Sequence, residues 1–179
     1  MPLPLGHTAI GLATYDTLQP SNGGPSRLGT FAFITLLANL PDLDVVLGLM
    51  LYGNGNFFHR GPTHSLVFAL VAGYGASHLW RLWDGIPRIG FGICFGLVLS
   101  HVLADMVFTT APVSLLWPLQ VYWSTGFSGP GNVLHAVLFQ NVQDAGLISS
   151  GACYVALLRL LRSSAKRGRI PAPAFRRWK

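Results

Sequence analysis

Four apolar stretches, residues 28–52, 63–80, 88–108 and 142–161, decide what this sequence can fold into. A helix needs about 20 predominantly apolar residues to cross the hydrocarbon core of a bilayer, and each stretch is of that order. Composition agrees. Hydrophobic residues make up 51% of the chain and charged residues 10%, whereas soluble proteins carry roughly 25% charged residues. The sequence therefore predicts an all-α fold: a polytopic membrane helix bundle of about four long spans, with a shorter N-terminal helix over residues 5–18. A soluble all-α core of this composition is not expected. The first stretch is interrupted by Pro41-Asp42-Leu43-Asp44, and Gly61-Pro62 precedes the second, where a helix start tolerates proline. Residues 112–123 are apolar and Trp-rich but too short to span, and are expected to lie in the interface or to re-enter. Residues 20–25 and 124–132 read as loops.

Charge sets the expected orientation. Eight of the twelve Lys and Arg residues lie between Arg159 and Lys179. A basic tail after an apolar segment reads as a cytoplasmic flank, and nothing resembles a nucleic-acid-binding domain. Arg27, Arg81 and Arg88 fall on the same side in an alternating path. The expected organisation is one membrane-embedded domain over residues 1–161 and a basic cytoplasmic tail over 162–179. Tyr52, Phe57, Trp117, Tyr122 and Trp123 are expected in an outer aromatic belt, in contact with membrane lipids. Residues 1–18 lack a basic n-region and a cleavage site, so His7 is expected in the mature protein. Cys94 and Cys153 sit in apolar runs and read as packing residues.

The ionisable residues inside the apolar stretches are few and gather at one depth. All six acidic residues are Asp. At about 1.5 Å per residue, His7, Asp42, Asp44, His64, His101 and Asp105 lie roughly 18 to 26 Å from the inner ends of their segments. His59 flanks the same mouth. A carboxylate in hydrocarbon is costly, and three at one level repel each other unless a cation or protonation stabilises them. A divalent metal does so, and His with Asp is its natural ligand set. His101 and Asp105 are four apart and share a helix face. Asp42 and Asp44 project together where proline breaks the helix. The candidate metal ligands are thus His7, Asp42, Asp44, His59, His64, His101 and Asp105. Zinc is the first expectation for the ion, with manganese or iron compatible with the same donors. His78 and His135 read as ordinary helix-packing or interface residues, and Asp16, Asp84 and Asp144 as end-of-segment charges.

These residues fall in motifs that occur in a fixed order: Gly6-His7, LPDLD at 40–44, HRGPTHS at 59–65, SHVLADM at 100–106 and PVSLLWP at 112–118. Together they resemble the YdjM-type family of bacterial inner-membrane proteins, described as membrane-bound metal-dependent hydrolases, over residues 5–120. More distantly, the type and order of the residues are similar to zinc-dependent phospholipase C and P1-type nucleases. Those are all-helical enzymes that cleave phosphodiesters with clustered zinc. The resemblance implies an inner-membrane location and the same seven ligands. This sequence departs from such enzymes in being short and in lacking any Glu to act as a general base.

The leading expectation is a metal-dependent hydrolase acting at the outer membrane–water interface. A bound ion lowers the pKa of water towards 7. Asp42 or Asp44 is the candidate general base, and Arg60 can hold a phosphate oxygen in two-pronged fashion. Seven ligands exceed the needs of one tetrahedral ion, which suggests further ions or a supporting role for some residues. An outer-leaflet site points to an amphiphilic phosphoester or lipid-linked substrate. The alternatives are a structural or regulatory membrane protein braced by metal, and a metal or proton transporter.

Overall fold

The computed structural model describes residues 4–19, 28–109, 111–124 and 143–167, with the backbone alone at 143–147, 166 and 167. Among the described residues the secondary structure is helical, in six α-helices and two short 3-10 turns. They are α1 (Pro4–Leu18), α2 (Leu28–Ala38), α3 (Leu43–Tyr52), α4 (Leu66–His78), α5 (Phe91–Phe108) and α6 (Gln143–Arg167). Helix α5 is central and packs against α1, α2 and α4, while α1 lies between α5 and α6.

Proline decides where the first apolar stretch breaks. Pro41 lacks an N–H and clashes with the preceding turn, so α2 cannot continue through it. The chain crosses 39–45 in tight turns, with Asp42 N–H donating to Asn39 O and Asp44 N–H to Pro41 O. Helix α3 then leaves at 61° to α2. It stops at Gly53, whose left-handed φ of 66° lets its N–H reach the carbonyls of Gly48 and Leu49. Helix α4 starts at Ser65, whose Oγ accepts from Phe68 N–H at 3.1 Å while donating to Pro62 O at 2.6 Å.

Of the four stretches expected to span, α5 is one helix long and apolar enough to cross a membrane; the bent pair α2–α3 makes a second if it counts as one span. The second stretch divides into α4 and a 3-10 turn at Leu79–Arg81. The fourth lies in α6, which runs past the boundary expected at residue 161 to Arg167. Residues 168–179 of the basic tail lie outside the described residues.

The core joins Phe33, Ile34, Leu37, Cys94, Leu97 and Val98 with Tyr15 and Ala69. Large apolar side chains also cover the exterior: Leu28 is 83% exposed and Met50 78%. Exposed apolar area this extensive marks an interaction surface. Close helix approach depends on glycine. A Cβ on Gly73 of α4 would lie 2.7 Å from the backbone N and Cα of Phe95 on α5. Gly73→Leu is therefore expected to force α4 and α5 apart at a cost of about 1–3 kcal/mol. A lowered melting temperature of the detergent-purified variant checks this, and an unchanged one contradicts it.

Residues 112–123 fold back over the loop that precedes α4. Val113 pairs antiparallel with Trp123, Ser114 N–H donates to Arg60 O at 3.2 Å, and Leu66 N–H donates to Leu115 O at 2.9 Å. Val113 and Ser114 are buried, while Leu119, Tyr122 and Trp123 face outward. The segment thus pins the loop that carries His59, Arg60 and His64.

Candidate metal centre

Four separate pieces of chain bring their polar side chains to one place. His7 comes from the second turn of α1, Asp42 and Asp44 from the α2–α3 break, His59 and His64 from the loop before α4, and His101 with Asp105 from one face of α5. His7, Asp44, His64, His101 and Asp105 are buried. Arg60, between the two loop histidines, has a left-handed φ of 65°. That conformation costs a non-glycine residue about 1–2 kcal/mol, and such cost concentrates at functional sites.

Three of the imidazoles are held by one nitrogen and leave the other free. His101 Nδ1 donates to the carbonyl of Ala38 at 2.7 Å. His59 Nδ1 donates to Asp44 Oδ1 at 3.1 Å. His64 Nδ1 lies 3.3 Å from Asp44 Oδ2 and 3.1 Å from Thr63 Oγ1, and the Thr63 hydroxyl itself donates to Asp44 Oδ2. Carbonyl and carboxylate oxygens only accept, so the proton sits on Nδ1 and the Nε2 lone pair is available. This is the pattern in which an outer carboxylate or carbonyl fixes the tautomer of a metal-binding histidine.

The free atoms face each other. His64 Nε2 lies 3.4 Å from Asp105 Oδ2 and 3.6 Å from Asp42 Oδ1, and His101 Nε2 lies 3.3 Å from Asp42 Oδ1. His7 Nε2 is 3.4 Å from Asp105 Oδ1, and its ring stacks on His101 with centroids 3.7 Å apart. Yet none of these makes a hydrogen bond: both nitrogens of His7, Nε2 of His59, His64 and His101, Asp42 Oδ1 and both oxygens of Asp105 are buried without a hydrogen-bond partner. Unpartnered buried polar atoms are rare and costly, and eight at one spot require a shared partner. Donors bound at 2.0–2.1 Å to a tetrahedral ion stand about 3.3 Å apart. The observed spacings match that edge, so the residues fit a divalent cation.

All seven sequence-predicted ligands gather here, His7 of α1 among them. They are not equivalent. Asp42, His59, His64 and Asp105 form one set able to hold an ion, and His7, His101 and Asp105 another. Asp44 belongs to neither set; its oxygens serve His59, His64 and Thr63. Ser65 serves as the α4 cap. The carbonyl of Ala38 has no signature as a residue type. Its availability does follow from Pro41, because the helix ends before any amide can take the Ala38 oxygen.

Other expectations fare differently. Asp16, read as an ordinary end-of-segment charge, is buried at 3% exposure. Arg159 Nη2 reaches its Oδ1 at 3.2 Å, and Arg162 Nη1 donates to its carbonyl at 2.8 Å. The arginines pair with the carboxylate and cap the carbonyl end of α1 together, so Asp16 ties α1 to α6. His78 Nδ1 donates to Tyr74 O at 2.9 Å within its own helix. His135 and the side chain of Asp144 lie outside the described residues.

A family model described as YdjM inner membrane protein matches residues 1–168. The chain is 39% identical over 144 residues to a protein of Escherichia coli (strain K12) named inner membrane protein YbcI, covering 78% of this chain and 79% of that one. No solved structure matches significantly.

Proposed function

Given that the chain belongs to the YdjM inner membrane protein family, we propose that its His–Asp cluster is the metal centre of a membrane-bound hydrolase. The substrate class is a lipid-linked phosphoester. The observation that carries the reading is the convergence of buried, unpartnered donors from four chain segments. A divalent cation held there supplies Lewis acidity and lowers the pKa of bound water.

The chain's own groups divide the remaining work. The side chains of Asp42, Arg60 and His59 are 15%, 13% and 8% exposed, whereas those of His7, His64, His101 and Asp105 are 0% exposed. Substrate therefore reaches the cluster from the Asp42–Arg60 side. Asp42 is the most accessible of the three carboxylates; its Oδ1 faces His64 and His101 as a donor, and its other oxygen is the proposed general base. Asp44 has both oxygens committed and acts by aiming His59 and His64. Arg60 Nε has no hydrogen-bond partner and lies 3.8 Å from Asp105 Oδ2, placed to receive a phosphate oxygen.

The membrane setting follows the same logic. The apolar exterior contacts lipid, α5 and the bent α2–α3 pair cross or enter the bilayer, and the path is multi-pass. The basic residues from Arg159 to Lys179 support a cytoplasmic C-terminus. With the cluster towards the outer face, under the segment 112–123 that bonds Arg60 O through Ser114 N–H, an amphiphilic substrate can reach it from the leaflet. A transport pathway is disfavoured by the apolar core of Ile34, Leu37, Leu97 and Val98 that adjoins the cluster.

The test is elemental analysis and turnover on detergent-purified protein. Wild type is expected to hold zinc or manganese and to hydrolyse lipid phosphoesters in preference to soluble ones. Arg60→Ala is expected to keep its metal and lose turnover by about 100-fold or more. A wild type that takes up neither metal sinks the proposal. A second reading, a metal brace without turnover, is favoured by the four separate segments that supply the donors. It predicts metal binding, unfolding on ligand loss and no hydrolysis of any phosphoester.

A further inference from the structure

We infer that the cluster holds two divalent cations, bridged by the carboxylate of Asp105. The inference rests on the metal-centre reading above and specifies how many ions that centre takes and which residue joins them.

Two sets of donors are present, each with its atoms within 4.8 Å of one another, and Asp105 is their common member. Its two oxygens diverge. Oδ1 faces His7 Nε2 at 3.4 Å and Oδ2 faces His64 Nε2 at 3.4 Å. The side chain is 0% exposed and neither oxygen has a hydrogen-bond partner. A carboxylate offers about four lone-pair positions. One with every position unused, between two sets of imidazoles, is placed to bridge.

One ion does not account for the donors. A tetrahedral ion takes four. An octahedral ion with bonds of about 2.1 Å would bring all its donors within about 4.2 Å of each other. Among the described residues, no single set within 4.8 Å contains Asp42, His59, His64, His7, His101 and Asp105 together. The stacked rings of His7 and His101, 3.7 Å apart, point the same way. Two imidazolium rings that close would repel each other. Their free nitrogens part at that stack, His7 Nε2 turning to Asp105 Oδ1 at 3.4 Å and His101 Nε2 to Asp42 Oδ1 at 3.3 Å.

Charge gives the second ion a purpose. Asp42, Asp44 and Asp105, offset by Arg60, leave two negative charges, which one divalent ion neutralises. A second makes the cluster cationic and suits it to a substrate with an anionic phosphoryl group. Paired ions about 3.5–4 Å apart recur where both the attacking and the leaving oxygen of a phosphoester need stabilising.

The test uses the full-length protein in detergent, stripped with a chelator and titrated with Mn(II), read by elemental analysis and electron paramagnetic resonance. The expected result is two equivalents of manganese and an exchange-coupled spectrum. His7→Ala, which removes a donor from one set alone, is expected to bind one equivalent with an isolated-ion spectrum; His59→Ala tests the other set if that variant does not fold. Saturation of wild type at one equivalent overturns the inference and leaves the hydrolase reading standing. Two equivalents without coupling overturn the bridge. Wild type that binds no manganese or zinc overturns the metal-centre reading itself, so the two failures are distinguishable.

Discussion

Asp105→Asn is expected to abolish the rise in melting temperature that saturating zinc or manganese gives the wild type, a loss of roughly 10 °C. The size follows from mass action. A ligand that binds only the folded state at about 1,000 times its dissociation constant stabilises by about 4 kcal/mol, and in a domain of this size each kcal/mol moves the midpoint by about 2–4 °C. Asparagine keeps the shape of aspartate, so the packing of α5 against α1 and α4 is retained. What it removes is the charge and one of two divergent oxygens. Asp105 is the common member of both donor sets, so its loss weakens every ion in the cluster, whereas His7→Ala touches one set. Differential scanning fluorimetry of wild type and variant, each with and without metal and with chelator added back, checks this. An Asp105→Asn protein that still gains the full shift would place the metal elsewhere.

The cluster was legible because its residues are out of place. In a chain with 10% charged residues, an Asp inside an apolar stretch has no reason to be there unless something compensates it. The rise per residue of a helix then sets which such residues share a level. Four segments remote in sequence could be matched in this way, although Pro41 bends the second by 61°. Helix lengths were less legible. Hydropathy sums over a window and does not register that α2 stops at Ala38 or that α4 gives way to a 3-10 turn at Leu79. The division of labour within the cluster was least legible. Asp42 and Asp44 are equivalent as letters two apart. What separates them is that Asp44 opens the first turn of α3, facing His59, Thr63 and His64, while Asp42 lies within the break. Asp16 shows the converse error. Its position near the end of α1 suggested solvent, and its burial depends on Arg159 and Arg162, more than 140 residues later, which no local pattern reports.

That difference between the two carboxylates makes Asp44→Ala the informative substitution. Asp44 Oδ1 and Oδ2 fix the tautomers of His59 and His64, and Thr63 reinforces the arrangement. Without the carboxylate, each imidazole is free to rotate and to carry its proton on either nitrogen, so part of the population presents an N–H to the ion rather than a lone pair. Loss of such an outer partner typically costs 10- to 100-fold in metal affinity, about 1.4–2.7 kcal/mol. Asp44→Ala is therefore expected to bind the same number of ions as wild type at saturating metal, with a dissociation constant raised about 10- to 100-fold, measured by competition with a chromophoric chelator. Turnover at saturating metal should fall less than in Asp42→Ala, because Asp42 is the proposed base and Asp44 is not. If Asp44→Ala instead lost an equivalent of metal at saturation, Asp44 would be a ligand and the carboxylate assignments would exchange. Asp44→Asn separates the two readings further. It leaves one oxygen to accept from His59 or His64 and so keeps part of the affinity in the orienting role, whereas a ligating carboxylate loses its charge altogether.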